Sequence, residues 1–357
     1  RLLIIILLLT ACTAPTAIPP SATSTSLAPA PTQVAPSQPA PTVPPSATPP
    51  PVFQIGLVSA SPDSPSGQAV SRAREQFGWA VAASDHSAQA ITTLAQTGVK
   101  VIVVDDPALG DATYTAAKSF PASYFVGVNQ TASGDALPNL LLLGAGSARY
   151  DQVGFIAGMV AGFATESEKV AVLSNPVEVI ARSYRNGFLH GVRYACPLCR
   201  VDFIDLTALK TGLDAAQTAR LYASLGFDVI FGAGGETENQ ALLPAADRGA
   251  WVVGSNGDIY ATYFENGAAA GADNALTSVY LDPGAAVFTA LMAVQQEQSL
   301  TGTLPFSAAT GSITLAPYRD PTDTLSAPDR QDIATALARL ADGSLETGID
   351  PVTGEEK

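Results

Sequence analysis

The sequence predicts an α/β protein with two doubly wound, Rossmann-like lobes. Three observations carry that expectation. Short apolar, largely β-branched runs recur after Val52, among them Val99–Val104 and Lys169–Leu173. Stretches of helical period stand between them. Continuous apolar strands separated by helices imply parallel sheets covered on both faces, and the strands are too many for one small sheet.

The elements follow in order. Phe53–Val58 reads as a first buried strand, and Ser66–Ala82 as a helix with Ala69, Ala73 and Phe77 on one face. Val99–Val104 and Tyr124–Val128 read as the second and third strands. In the second half the strands are Lys169–Leu173, Val201–Leu206, Asp228–Phe231 and Trp251–Val253. Helices are expected over Gln152–Phe163, Val179–Tyr194 and Ala215–Leu225, and over Pro328–Leu340 as a cap on the second lobe. A hydrophobic content of 47% supports a substantial core. The stretch 52–357 is long enough for two domains of ordinary size.

Two segments precede the folded part. Arg1 followed by the apolar run Leu2–Leu9 and small residues describes a secretory signal over residues 1–12. The run is far short of the roughly 20 residues a spanning helix needs. Leu9-Thr10-Ala11-Cys12 resembles the lipobox of bacterial lipoproteins. That resemblance implies a lipidated Cys12 and an extracytoplasmic protein anchored to the bacterial cell membrane; an ordinary signal peptide with an incidental Cys is the alternative. Residues 13–51 are almost wholly Pro, Ala, Thr and Ser, and no charge occurs between Arg1 and Asp63. Such a segment cannot bury enough apolar surface to order itself and reads as a disordered tether.

The formal net charge of −14 argues against a nucleic-acid partner, because phosphate binding requires basic patches. It also disfavours adhesion to a bare anionic membrane, so the lipid has to hold the protein there. In doubly wound folds ligands sit at the carboxyl ends of the strands. The polar residues at those ends are the candidates: Ser59, Asp105, Asn129, Gly234, Gly235, Asn256 and Asp258. The glycine pair admits a ligand to the backbone. The helix opening near Glu236 offers unpaired N–H groups and a positive dipole end. A tight strand-to-helix turn is the plainer reading of the same pair.

Other chemistry finds little support. Cys196-Pro-Leu-Cys199 follows a helix and does not open one, so nothing lowers a thiolate pKa. Outside the cell a local disulfide is favoured, with free thiols or a redox or metal role left open. The His residues are His86 and His190, too few near the cysteines to complete a zinc site. No Gly-x-Ser-x-Gly or His-Glu-x-x-His occurs. Asp105-Asp106 reads as solvated or capping carboxylates. No catalytic residue, metal or cofactor is expected, and the protein reads as no enzyme.

One block is specific to a family. Asp228-Val-Ile-Phe-Gly-Ala-Gly-Gly-Glu-Thr-Glu-Asn239, with Arg248-Gly-Ala-Trp-Val-Val-Gly-Ser-Asn-Gly-Asp258, resembles the basic membrane protein family. These are PnrA-like, lipid-anchored substrate-binding proteins of ABC transporters. Asp151–Gly162, Lys169–Leu173, Tyr184–Gly191 and Leu276–Val279 extend the likeness, which covers roughly Gln54 to Pro317. It implies a type I periplasmic-binding-protein fold with a three-strand hinge. It further implies closure on a small ligand, a nucleoside in many members, and an ABC permease that reads the closed form of a monomer. Lobe one is expected over 52–147 plus 257–279, lobe two over 148–256 plus 280–345, and a tail over 346–357.

The departures from the family fall on its ligand contacts. Ser59 stands where the family has Asp, and the shorter loop ending Ser66-Gly67-Gln68 lacks its stacking Phe. Asn129 and Asn256 replace Asp, and Leu281 replaces Lys. An amide both donates and accepts where a carboxylate only accepts, so ribose hydroxyls suit either. Tyr150, Tyr184, Tyr260 and Tyr280 are either replacement stacking surfaces or packed core residues. A sensory receptor signalling to a membrane partner, or a vestigial binding protein, is the alternative function.

Overall fold

The computed structural model describes residues 53–175, 177–209 and 213–357. Cys12, the segment 1–12 and the tether 13–51 lie outside the described residues. The described residues, from Phe53 onward, form one compact unit.

Lobe one begins with β1 (Gln54–Ser59), α1 (Pro65–Phe77), β2 (Ala80–Ala82), α2 (Ala88–Gln96) and β3 (Val101–Asp105). It continues through α3 (Gly110–Ser119), β4 (Tyr124–Val128) and β5 (Leu140–Ala148). Ser64 caps α1, its hydroxyl accepting from the N–H of Gly67 at 3.1 Å, with Pro65 in the first turn. The sequence predicts this helix over Ser66–Ala82. In the structure it stops at Gly78, which takes the left-handed conformation (φ 72°), and Ala80–Ala82 becomes a strand beside β1.

Lobe two holds α4 (Tyr150–Ala164), β6 (Lys169–Ser174), α5 (Val179–Ala195), β7 (Arg200–Asp205), α6 (Ala215–Ser224) and β8 (Val229–Gly232). The short helices α7 (Glu236–Gln240) and α8 (Leu243–Ala246) lead to β9 (Trp251–Gly254), α9 (Ile259–Thr262) and β10 (Ala275–Leu281). The chain then supplies α10 (Pro283–Gln295) and β11 (Gly302–Phe306) to lobe one, and β12 (Ile313–Leu315) and α11 (Ala327–Ala341) to lobe two.

The two sheets have six strands each, in the orders β11-β5-β4-β3-β1-β2 and β12-β10-β9-β8-β6-β7. Every pair is parallel except β10 with β12. Each sheet carries a hydrophobic cluster on both faces, as parallel strands require. Ile333, Ala336 and Leu340 of α11 join the lobe-two core, so this helix caps that lobe.

The lobe boundaries differ from those read in the sequence. Residues 257–279 do not pass to lobe one, because β10 pairs with β9 in register Ser278 to Gly254. The stretch 280–345 is divided. Ala286, Val287 and Leu291 of α10 pack with Ala69, Val70 and Ala73 of α1, and β11 pairs with β5. The chain therefore crosses between lobes at Arg149, at Asp282 and over 307–312. Backbone bonds tie these crossings together, from Arg149 N–H to Phe306 O at 2.8 Å and from Asp282 N–H to Ser312 O at 2.7 Å.

Two features stiffen lobe two. Helices α4 and α5 pack backbone to backbone: a Cβ on Gly191 would fall 1.9 Å from Phe155 O, and one on Gly158 2.2 Å from Phe188 O. The tail 346–357 is also docked. Ile349 is fully buried, Asn186 Nδ2 donates to Gly354 O at 2.7 Å, and Arg182 lies 3.2 Å from Glu355. Among the described residues no helix is long and apolar enough to cross a membrane.

Candidate functional site

Between the lobes lies a cleft of about 820 Å3. Lobe one lines it sparsely, with Asn129 at the end of β4, Gly146–Ala148 of β5, and Phe306. Lobe two supplies most of the wall through Asn175 after β6, Glu178 and Tyr184 around α5, Thr207 after β7 and the turns after β8 and β9. Tyr150, Tyr280 and Leu281 line it at the hinge.

The glycine turn after β8 is the most firmly built part of the wall. Ser255 Oγ accepts from Gly234 N–H at 2.6 Å, and Ser255 N–H donates to Asn239 Oδ1 at 3.0 Å. Asn239 Nδ2 returns to Gly235 O at 2.6 Å. Both side chains are buried, so the brace is shielded from water. The helix that follows has five residues, and Glu238 folds its carboxylate back over the turn. A Cβ on Gly235 would lie 2.0 Å from Glu238 Oε2. The open, positive helix end expected after the glycines is thus covered by a carboxylate.

Burial raises the Glu238 carboxyl above its ordinary range and the nearby charge of Glu178 adds to this, against N–H bonds from Glu238 itself and Asn175. Tyr184 is 4% exposed and packs against Tyr150, ring centroids 5.2 Å apart, and against Phe231 at 6.3 Å. Burial pushes its hydroxyl well above the usual range. Tyr184 thus serves the core and the cleft together. Tyr280 also titrates high, through burial and the charges of Asp282 and Asp258. Tyr260 does not line the cleft: its ring lies under Arg319, 4.4 Å from the guanidinium carbon.

Of the residues singled out in the sequence, the structure gathers Asn129, Gly234, Gly235 and Asn256 around the cleft. Ser59, Asp105 and Asp258 are not among its lining residues. Ser59 Oγ donates to Ser61 O at 3.0 Å and meets Ser64 Oγ at 3.2 Å, serving the entry to α1. Asp105 ends β3 opposite Ser59. Asp258 caps α9, accepting from Tyr260 N–H at 3.0 Å, and pairs with Arg319 at 3.5 Å. Sequence reasoning missed Glu178, Glu236 and Glu238, whose only signal was acidity near helix starts. Cys196 and Cys199 form a disulfide, Cα atoms 5.4 Å apart, in the turn between α5 and β7.

The comparisons with known proteins agree with this architecture. The family model for PnrA-like ABC transporter substrate-binding proteins matches residues 66–332. CD4+ T-cell-stimulating antigens of Listeria monocytogenes and Listeria innocua are each 27% identical over 157 residues. That stretch is 42% of this chain and 43% of each relative, so the chain spans less than half the length of these relatives. A transcriptional activator of the comK gene from Bacillus halodurans superposes with a TM-score of 0.54 at 18% identity, over 82% of this chain and 99% of its own. An ABC transporter solute-binding protein from Conexibacter woesei gives 0.53 at 17%, over 82% and 97%. At such identities these structures speak for the fold, a two-lobed periplasmic-binding-protein architecture of type I. With the family model matching from α1 into α11, the chain belongs to the basic membrane protein (Bmp) family of PnrA-like ABC transporter substrate-binding proteins.

Proposed function

We propose that this substrate-binding protein captures a nucleoside-like solute in the cleft by hinge closure and presents the closed form to an ABC permease. The observation that carries the reading is the cleft itself, where amides of both lobes, Asn129 and Asn256, flank an aromatic wall of Tyr150 and Tyr184. A base would lie toward Tyr150, and ribose hydroxyls would exchange hydrogen bonds with the two amides. Closure would shift an equilibrium between open and closed forms about the three crossings. Lipidation at Cys12 would keep the monomer outside the cytoplasm beside its permease.

The test is thermal unfolding of the purified chain with nucleosides, bases, sugars and amino acids. A ligand at one hundred times its Kd adds about 2.7 kcal/mol of stability. Stabilisation by nucleosides, lost in Asn256→Ala, supports the reading. Stabilisation by another class alone would replace the nucleoside, and no response to any solute would sink the binding role.

A further inference from the structure

The charge of the cleft points to a narrower class of solute than its shape does. Glu178, Glu236 and Glu238 all line it, and among the described lining residues none is Lys, Arg or His. Glu178 and Glu236 are exposed, and Glu236 Oε1 accepts from Gln240 Nε2 at 2.8 Å. Glu238 differs from both. It is 6% exposed, and the groups that act on its carboxyl are two backbone N–H groups and the like charge of Glu178. A buried carboxylate without a counter-charge is costly, and two N–H bonds offset only part of that cost. The same carboxylate covers the Gly235 turn, the place where an anionic solute would otherwise find free N–H groups. Tyr150 and Tyr184 present aromatic rings to the same cleft, a surface that also attracts cations.

We infer that the solute carries a positive charge on nitrogen, held against Glu238 with Glu178 and Glu236 around it, and that neutral and phosphorylated analogues bind more weakly. The inference rests on the reading of the cleft as the solute site. It supplies what that reading leaves open, the charge class of the ligand.

Calorimetry on the purified full chain tests it, with 1-methyladenosine, adenosine, adenosine monophosphate and agmatine as probes. The first has a cationic base at neutral pH and the second is its neutral parent. 1-Methyladenosine is expected to bind at least about tenfold tighter than adenosine, with the monophosphate weakest, and Glu238→Gln should remove most of that preference. Adenosine binding as tightly as 1-methyladenosine would overturn the charge assignment and leave nucleoside binding standing. Binding of agmatine alone would uphold the charge and discard the nucleoside. No heat from any probe would overturn both. If Glu238→Gln fails to fold by circular dichroism, the double variant Glu178→Gln, Glu236→Gln carries the same comparison, because both side chains are exposed.

Discussion

A Cβ on Gly234 would stand 3.0 Å from the Tyr184 ring, so the turn after β8 and the aromatic wall of the cleft are fitted to one another. Gly234 also holds φ at 94°, a conformation that L side chains rarely adopt. Gly234→Ala meets both obstacles at once. The substitution is expected to cost on the order of 1–3 kcal/mol and to push Tyr184 away from the cleft. Thermal melting and solute calorimetry check this together. A variant that keeps the parent Tm and affinity would show that the turn relaxes freely.

Close approach and backbone strain can be separated at two other glycines. Gly191 is helical, and its Cβ would fall 1.9 Å from Phe155 O, backbone that cannot yield unless α4 and α5 part. Gly98 has φ 84° and nothing within 4 Å of its Cβ. Gly98→Ala is expected to cost about 1–2 kcal/mol through strain alone. Gly191→Ala should exceed the roughly 1–3 kcal/mol usual for overpacking, because the clash is with main chain. Denaturant melts of both variants give the ranking. The reverse order would mean the helices are not locked by contact.

These contacts also explain what the sequence revealed and what it hid. Val101–Val104 is fully buried, and an unbroken β-branched run announces such a strand. Ala80–Ala82 has neither the length nor the composition to announce one, so its pairing with β1 was invisible. The second crossing is hidden from the sequence for a similar reason. Nothing local in Leu281-Asp282-Pro283 says that β10 belongs with β9 while α10 belongs with α1; only long-range packing decides it. At the cleft, Asn129 and Asn256 were legible because strand ends are where such folds bind. Glu238 was not, since an acidic residue in a first helical turn ordinarily serves only its own helix. Tyr184 lies within α5, where its position matches that of any core aromatic.

The raised carboxyl of Glu238 makes a signed statement about pH. A group whose folded pKa lies above its unfolded value binds more protons in the folded state over the interval between the two. Stability therefore falls as pH rises through that interval and levels off above the folded pKa. Glu238→Gln removes this contribution, so its melting temperature should fall less than that of the parent as pH rises from the ordinary Glu range. Parallel melts across the acidic range measure it. Identical slopes would mean that the carboxyl titrates alike in both states.

Asp151 joins the first crossing to the tail. Arg149 Nε and Nη2 donate to its two oxygens at 2.8 Å each, and Thr347 Oγ1 also donates to Oδ2. The Asp151 side chain is fully buried while that of Arg149 keeps 26% exposure. Removing one partner of a buried pair costs about 3–5 kcal/mol when the other stays unsolvated. Arg149 reaches water in part, so Asp151→Ala belongs at or below the lower end of that range. Thr347→Val deletes the tail's bond to Asp151, worth about 1.5–3 kcal/mol to a charged acceptor, and with it the bond that Thr347 Oγ1 accepts from Ile349 N–H at 3.3 Å within the tail. The two variants should diverge in hydrogen exchange. Thr347→Val is expected to release protection in 346–357 alone, with solute affinity unchanged. Asp151→Ala should release the tail and also alter closure, because Arg149 carries the backbone bond to Phe306 that ties two crossings together. Unchanged tail protection in Asp151→Ala would show that the segment is held by Ile349 and Asn186 without help from the hinge.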